Sequence, residues 1–199
     1  MKNALVFLAD GFEEIEALTP VDYLRRTGEI TVTTVAVPSA TMNDPYIVIS
    51  SHSIPVITDM TFDEFKENFS KELPDLIFFP GGMPGSTNLA SNGELLAYAE
   101  KCFESGKFVS AICAAPAVVL GKTNILKGKK WTCYPDMEKA VSESIKSSSQ
   151  HIKDLPFVTD GTLITSRGAG TAEEFAMELV QLLCGANIKE KLRTATCQR

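Results

Sequence analysis

The segment Phe108-Val109-Ser110-Ala111-Ile112-Cys113-Ala114-Ala115-Pro116 runs from a buried apolar stretch directly into small residues and a proline. It reads as strand Phe108–Ile112 followed by a buried helix start over Ala114–Leu120, because proline is tolerated in the first turn of a helix. A strand that turns so abruptly into a helix pushes one side chain out at the end of the sheet, as in a nucleophile elbow, and here that residue is Cys113. Ala111, Ala114 and Ala115 relieve crowding at the turn. A thiol at a helix N-terminus faces unpaired N–H groups, which favour its thiolate.

Working outward, the same alternation recurs. Asn3–Ala9 is a continuous apolar run of the kind buried on both faces of a parallel sheet. Asp10-Gly11 breaks it, and Glu13–Thr27 reads as a helix with Ile15, Leu18, Val21 or Asp22, and Leu24 as its apolar stripe. Gly28 ends that helix, and Ile30–Val37 alternates as a strand. Tyr46–Ser50 and Ile54–Thr58 suggest a hairpin, and Asp63–Ser70 a polar-faced helix. Asp75–Phe79 is a buried strand closed by Pro80-Gly81-Gly82-Met83-Pro84-Gly85. Glu94–Ser105 reads as a helix, Lys130–Cys133 as a short strand, and Pro135–Lys146 as an amphipathic helix. Phe157-Val158 and Thr162–Thr165 are strands around Asp160-Gly161, and Ala172–Leu183 is a helix with Phe175, Ala176 and Leu179 on its apolar face.

Strand and helix alternate without a long linker or internal repeat. That pattern predicts one doubly wound α/β sandwich spanning residues 1–199, with a mainly parallel sheet. Ligand sites in such folds lie beyond the carboxyl ends of the strands. Asp10–Glu16, Pro80–Gly85 and Cys113–Pro116 end strands there, so function is expected where they meet. In Gly11-Phe12-Glu13-Glu14-Ile15-Glu16 the helical period points the carboxylates in different directions. Glu16, next to Ile15, can face inward, where desolvation would raise its pKa and let it hold or relay a proton. The glycines of the second segment let backbone N–H groups approach a reacting oxygen.

Composition narrows the choice further. The 199 residues carry 19 Lys+Arg against 25 Asp+Glu, a net charge of −6, which argues against a nucleic-acid partner. The apolar run Phe108–Gly121 is shorter than the ~20 residues that cross a bilayer, and Ala4–Ala9 reads as a strand rather than a signal peptide. Five scattered cysteines lack zinc-finger spacing and make a poor disulfide framework, which predicts a reducing, cytoplasmic setting. The acceptor pattern Asn68-Phe69-Ser70 therefore carries no weight. Gly121-Lys122-Thr123 lacks a P-loop's first glycine, since Pro116 stands there, and Gly168 and Gly170 are followed by Glu173 where a dinucleotide motif needs glycine.

Four motifs in order, Leu8–Glu16, Phe79–Gly82, Ala111–Pro116 and Thr165-Ser166-Arg167-Gly168-Ala169-Gly170-Thr171, resemble the ThiJ/PfpI superfamily. They are most similar to its parkinsonism-associated deglycase branch, and the resemblance runs from Ala4 to Gly185. It implies a flavodoxin-like three-layer sandwich, a homodimer, and no metal or organic cofactor. It assigns Cys113 as the reactive cysteine and Glu16 as the acid hydrogen-bonded to that sulfur. Gly82 and Ala114 take the positions whose N–H groups face the bound oxyanion. Arg167 falls in a loop near the site and the dimer contact.

The chain departs from the pattern in three places. Tyr134 replaces a common histidine, His52 takes the place of a pocket arginine, and Ala114 stands where a peptidase-like branch has histidine directly after the cysteine. His151, in a polar stretch, reads as a solvated loop residue, which leaves a peptidase triad without a base. The resemblance implies a cofactor-independent glyoxalase or deglycase acting on methylglyoxal, glyoxal or their adducts. A redox sensor or redox-regulated chaperone working through oxidised Cys113 is the alternative, with Cys133 a candidate resolving thiol. Thiazole-phosphate biosynthesis, suggested by the superfamily name, finds no phosphate cradle.

Overall fold

In the computed structural model, which describes residues 1–68 and 71–198, the elements follow in chain order. They are β1 (Lys2–Leu8), α1 (Glu14–Arg26), β2 (Ile30–Ala36), β3 (Ile47–Ile49), β4 (Pro55–Ile57), β5 (Met60–Thr61), α2 (Phe62–Asn68), β6 (Leu76–Phe79), α3 (Gly85–Ala90) and α4 (Gly93–Glu104). There follow β7 (Phe108–Ile112), α5 (Ala115–Val118), β8 (Lys130–Trp131), α6 (Glu143–Ser148), β9 (Gln150–His151), β10 (Phe157–Asp160), β11 (Leu163–Ser166), α7 (Ala172–Cys184) and α8 (Ala186–Ala195).

A seven-stranded sheet in the order β10-β11-β7-β6-β1-β2-β5 forms the middle layer, and every pairing in it is parallel except β10 with β11. The fold is therefore the expected doubly wound α/β sandwich. Alternate residues of β1 feed opposite faces, as the period of two requires. Phe7 stacks on Phe79 at 5.7 Å and meets Phe65 edge-on at 5.3 Å, in a core closed by Tyr98 and Trp131. Val6, Leu8 and Phe78 turn to the other face, against Leu24 of α1, Phe175 and Leu179 of α7, and Leu192 of α8.

The hairpin forms as β3 and β4, antiparallel with Val48 opposite Val56. Three expectations need correction. The amphipathic helix over Pro135–Lys146 is two pieces, a 3-10 turn at Met137–Ala140 and the short α6. Asp136 sits at φ +70° and Val141 and Ser142 are extended, so one helix cannot run through; Val141 and Ile145 are buried from separate turns. The apolar stripe of α1 is rotated: Glu16, Ala17, Pro20, Val21 and Leu24 are buried and Ile15 is exposed. His151 belongs to β9 and is half-buried, its ring 4.8 Å from that of Trp131. The end of the Asp63–Ser70 helix and the last two residues of the acceptor pattern lie outside the described residues. α8 leaves little mark on the sequence, because Gly185, at φ +86°, interrupts the pattern and Leu192 alone of its residues is buried. Among the described residues no helix is long and apolar enough to cross a membrane.

Candidate active site

The carboxyl ends of β1, β6 and β7 bring the three expected segments together. Asp10, at the first of these ends, is the anchor. Its Oδ1 accepts from Ile49 N at 2.9 Å, and its Oδ2 from the Ser39 and Thr41 hydroxyls at 2.7 Å. Burial alone would raise this carboxyl, but the hydrogen bonds outweigh it and hold Asp10 below its ordinary value. Gly11 N donates to Ile49 O and Ser51 N to Phe12 O, tying the hairpin to the start of α1. The Glu13 side chain then caps α1 by accepting from Glu16 N, and that entry angle turns Glu16 into the molecule.

The Pro80–Gly85 segment fills the space beneath. A Cβ on Gly81 would overlap Glu16 Oε2 and Cys113 Cβ, and one on Gly82 would run into the backbone of Gly11 to Glu13. Gly82 also sits at φ +91°, a conformation glycine adopts without strain. Cys113 itself has φ +63°, costly for a residue with a Cβ and characteristic of a strand-to-helix elbow. Its backbone is fixed on both sides, since Cys113 N donates to Ser166 O at 2.9 Å and Tyr134 N donates to Cys113 O at 2.8 Å.

The Cys113 thiol is half-buried and faces the Glu16 carboxyl together with the N–H groups of Gly82 and Ala114. Burial pushes Glu16 up to about 7, with the nearby Glu13 charge adding to it; the Cys113 thiol and the N–H groups of Gly81 and Ala169 act in the opposite sense. Glu16 Oε2 is buried and, among the described residues, has no hydrogen bond of good geometry. A carboxylate oxygen stranded in this way is costly, whereas the protonated acid is not. The sequence expectation for the thiol itself needs correction. Burial is the largest influence on Cys113 and raises its pKa, and the adjacent Glu16 charge raises it further; the N–H donors only partly offset this. The helix behind it, α5, is four residues long, so its dipole is small against the desolvation. Two like charges in contact cannot both form, so thiol and carboxyl titrate as one unit that retains a single proton near neutrality.

The other candidates fall on either side of this pair. The Tyr134 ring is half-exposed, and a Cβ on Gly168 would lie 3.5 Å from it and 3.7 Å from Glu16 Oε1. Tyr134 thus walls a concavity that continues over Pro135 and residues 167–171, and Gly168 and Ala169 of its lining back onto the Glu16 carboxyl. His52 Nδ1 lies 2.8 Å from Glu14 Oε1, with Ser51 its other polar contact, and its side chain is two-thirds exposed. Neither contact is with Cys113 or Glu16. Cys133 is buried with its sulfur 3.3 Å from Tyr134 O and 3.6 Å from His151 Nε2, and burial pushes it up to about 12. It is not an activated thiol, and its sulfur contacts are with Tyr134 and His151. All five cysteines are free. Arg167 lines both the Tyr134 concavity and a neighbouring cavity shared with Cys133 and His151. Asp10 and Gly81, essential to this geometry, do not stand out in the sequence as individual positions; Asp-Gly directly after a buried strand is the available signal.

Residues 2–182 match the family described as DJ-1/PfpI. The chain belongs to the DJ-1/PfpI family. It is 36% identical over 198 residues to protein DJ-1alpha of Drosophila melanogaster, covering 98% of this chain and 83% of that relative. Protein DJ-1 homolog B of Arabidopsis thaliana is also 36% identical over 192 residues, and there the chain spans only 40% of the relative's length. A deglycase of Thermococcus kodakarensis is 29% identical over 91% of this chain and 99% of its own length. The crystal structure of Drosophila DJ-1beta superposes with a TM-score of 0.86 at 32% identity, covering 98% of this chain and 97% of that one.

Proposed function

We propose that this DJ-1/PfpI protein is a cofactor-independent, cysteine-dependent glyoxalase or deglycase acting on methylglyoxal, glyoxal or their adducts. The observation that carries the reading is the meeting of a half-buried Cys113 sulfur with the buried Glu16 carboxyl beside the N–H groups of Gly82 and Ala114. The deglycase relative supports the same chemistry.

In the tautomer with thiolate and neutral acid, Cys113 Sγ adds to the aldehyde carbon and the carbonyl electron pair moves to oxygen. The N–H groups of Gly82 and Ala114 steady that oxygen until Glu16 protonates it. The resulting carboxylate removes the hydrogen from the former aldehyde carbon, and the enediol electrons collapse as a proton returns to the neighbouring carbon. One carbon is oxidised and its neighbour reduced, so no external redox partner is needed. Water then cleaves the thioester, releasing lactate from methylglyoxal or glycolate from glyoxal and restoring the thiol. Tyr134 walls the approach.

The test is to follow D- and L-lactate from methylglyoxal with purified protein. Wild type should turn over, and Cys113→Ala should fall to the buffer rate. Equal rates in the two would end this proposal.

A second reading rests on the same half-buried sulfur. Peroxide would oxidise Cys113 through sulfenate to sulfinate, each step consuming one peroxide, with neutral Glu16 and the two N–H groups holding the new oxygens. The expected signature is a gain of two oxygens at Cys113 under mild peroxide; oxidation that falls first on exposed Cys197 would count against it. We further propose a homodimer and a reducing cytoplasmic setting. Exposed Ile15 and Ile49 lie on the two segments joined by the bridge between Phe12 and Ser50, which suits a self-association face, and all five thiols are unpaired.

A further inference from the structure

Away from the Cys113–Glu16 unit, two chain segments deliver a second group of chemically active side chains. The turn after β8 supplies Cys133 and Glu138, and β9, paired in parallel with β8, supplies His151. One ligand atom from each of the three lies within 4.8 Å of the others. They line a cavity of about 180 Å³ together with Pro135, Asp136, Lys153, Asp154 and Arg167. Glu138 Oε2 and His151 Nδ1 are both buried and lack a hydrogen-bond partner among the described residues. The unpaired Glu138 oxygen, beside a thiol and the other ring nitrogen of His151, marks a site whose chemistry is incomplete as it stands.

We propose that Cys133 Sγ, His151 Nε2 and the Glu138 carboxylate form a binding site for a zinc-class divalent cation, with the fourth position open to the cavity. The donor set fits such an ion in kind, since sulfur, imidazole and carboxylate are the ligands borderline metals take. It fits in charge, because one thiolate and one carboxylate balance a divalent cation while imidazole stays neutral. It also fits in size. Bonds of about 2.3 Å to sulfur and 2.05 Å to nitrogen at a tetrahedral angle set those two atoms about 3.5 Å apart, and Cys133 Sγ and His151 Nε2 stand 3.6 Å apart. Sulfur and nitrogen are thus already placed, and only Glu138, on a short turn, needs to swing inward. Two cations compete: Lys153, whose Nζ is 3.9 Å from Glu138 Oε1 at the end of an exposed side chain that solvent can accept, and Arg167, which lines the same cavity. Binding exchanges the Cys133 thiol proton for the metal and releases it to water. Tyr134, next to Cys133, donates its N–H to Cys113 O, so an occupied site would brace one flank of the elbow.

Cobalt(II), a spectroscopic stand-in for zinc, tests this on the full chain. The expected result is one equivalent bound, with a sulfur-to-cobalt charge-transfer band, ligand-field bands of tetrahedral intensity, and displacement by zinc. These features should survive Cys113→Ala, disappear in Cys133→Ser, and require at least tenfold more cobalt in His151→Gln. Circular dichroism checks that each variant is folded; should Cys133→Ser not fold, His151→Gln and Glu138→Gln decide by the same readout. A folded wild type showing no thiolate–cobalt band would overturn the proposal. So would a band that vanishes in Cys113→Ala and persists in Cys133→Ser, because the ion would then sit at the other thiol.

Discussion

Glu16 from α1 and Cys113 from the β7–α5 elbow meet over Gly81, whose Cβ, if it had one, would overlap both. Each side chain thus depends on an element distant in sequence for its place, and the pair shares its charge because burial penalises ionisation of either member. The proposed chemistry begins with that sharing.

Glu16 carries a stability signature. Its folded pKa is raised from 4.5 to about 7, so between those values the native state holds a proton that the unfolded chain has released. Stability contributed by the protonated acid is complete below about pH 4.5 and is lost as pH rises towards 7. The loss amounts to about 3 kcal/mol, because each tenfold change in proton affinity is worth about 1.4 kcal/mol. Urea unfolding of wild type and Glu16→Gln across this range should show the fall in wild type and a flatter profile in the variant. Parallel profiles would contradict the buried-acid assignment.

Gly81→Ala should be far more damaging than an added methyl group usually is. The new Cβ has to displace the Glu16 carboxyl or the Cys113 side chain, so we expect about 1–3 kcal/mol of destabilisation. A misplaced pair should also cost about 100-fold in kcat, as small displacements of reacting groups do. Gly93, where a Cβ meets nothing, is the control, and Gly93→Ala should leave kcat unchanged. Denaturant melts and methylglyoxal kinetics on both variants supply the comparison.

Asp10 acts on the site through the hairpin. Asp10→Ala removes the acceptor for Ile49 N and for the Ser39 and Thr41 hydroxyls. Unmet hydrogen-bonding demand of this kind costs about 2–3 kcal/mol. Hydrogen exchange at the Ile49 amide should accelerate more than exchange in β7, which lies across the sheet. Uniform acceleration would instead point to global destabilisation.

Much of this geometry is legible in the sequence because its strongest signals are local. Apolar runs bounded by Asp10-Gly11, Pro80-Gly81-Gly82 and Cys113-Ala114-Ala115-Pro116 mark both the strands and the ends at which a site forms. The rotation of α1 is not legible, since Ile15 is the more apolar choice for burial and only the Glu13 cap and the Asp10 anchor turn Glu16 inward. Nor is the direction in which the Cys113 pKa moves, because a helix N-terminus can be read from sequence whereas the desolvation of a thiol cannot. The Cys133–Glu138–His151 group is hidden for a related reason: the β8–β9 pairing that brings His151 to Cys133 joins segments whose separation matches no metal motif.

Tyr134 should govern substrate approach rather than the chemical step. Its ring lines the concavity over Gly168, and its backbone N–H donates to Cys113 O. Tyr134→Ala should therefore raise KM several-fold and leave kcat within about threefold, the pattern of lost uniform binding. A fall in kcat at constant KM would instead place the phenol among the reacting groups.

Alkylation of Cys113 by iodoacetamide, followed as rate against pH in wild type and Glu16→Gln, tests the shared proton most directly. In wild type the rate should rise only above the ordinary thiol range, because burial and the charge that Glu16 acquires above about pH 7 both hold the proton on sulfur. In Glu16→Gln the rise should begin at lower pH than in wild type, because the carboxylate charge is gone and burial alone then raises the sulfur. Superimposable profiles, or a wild-type inflection at an ordinary thiol value of about 8.5, would show that Glu16 and Cys113 titrate independently and would contradict the account.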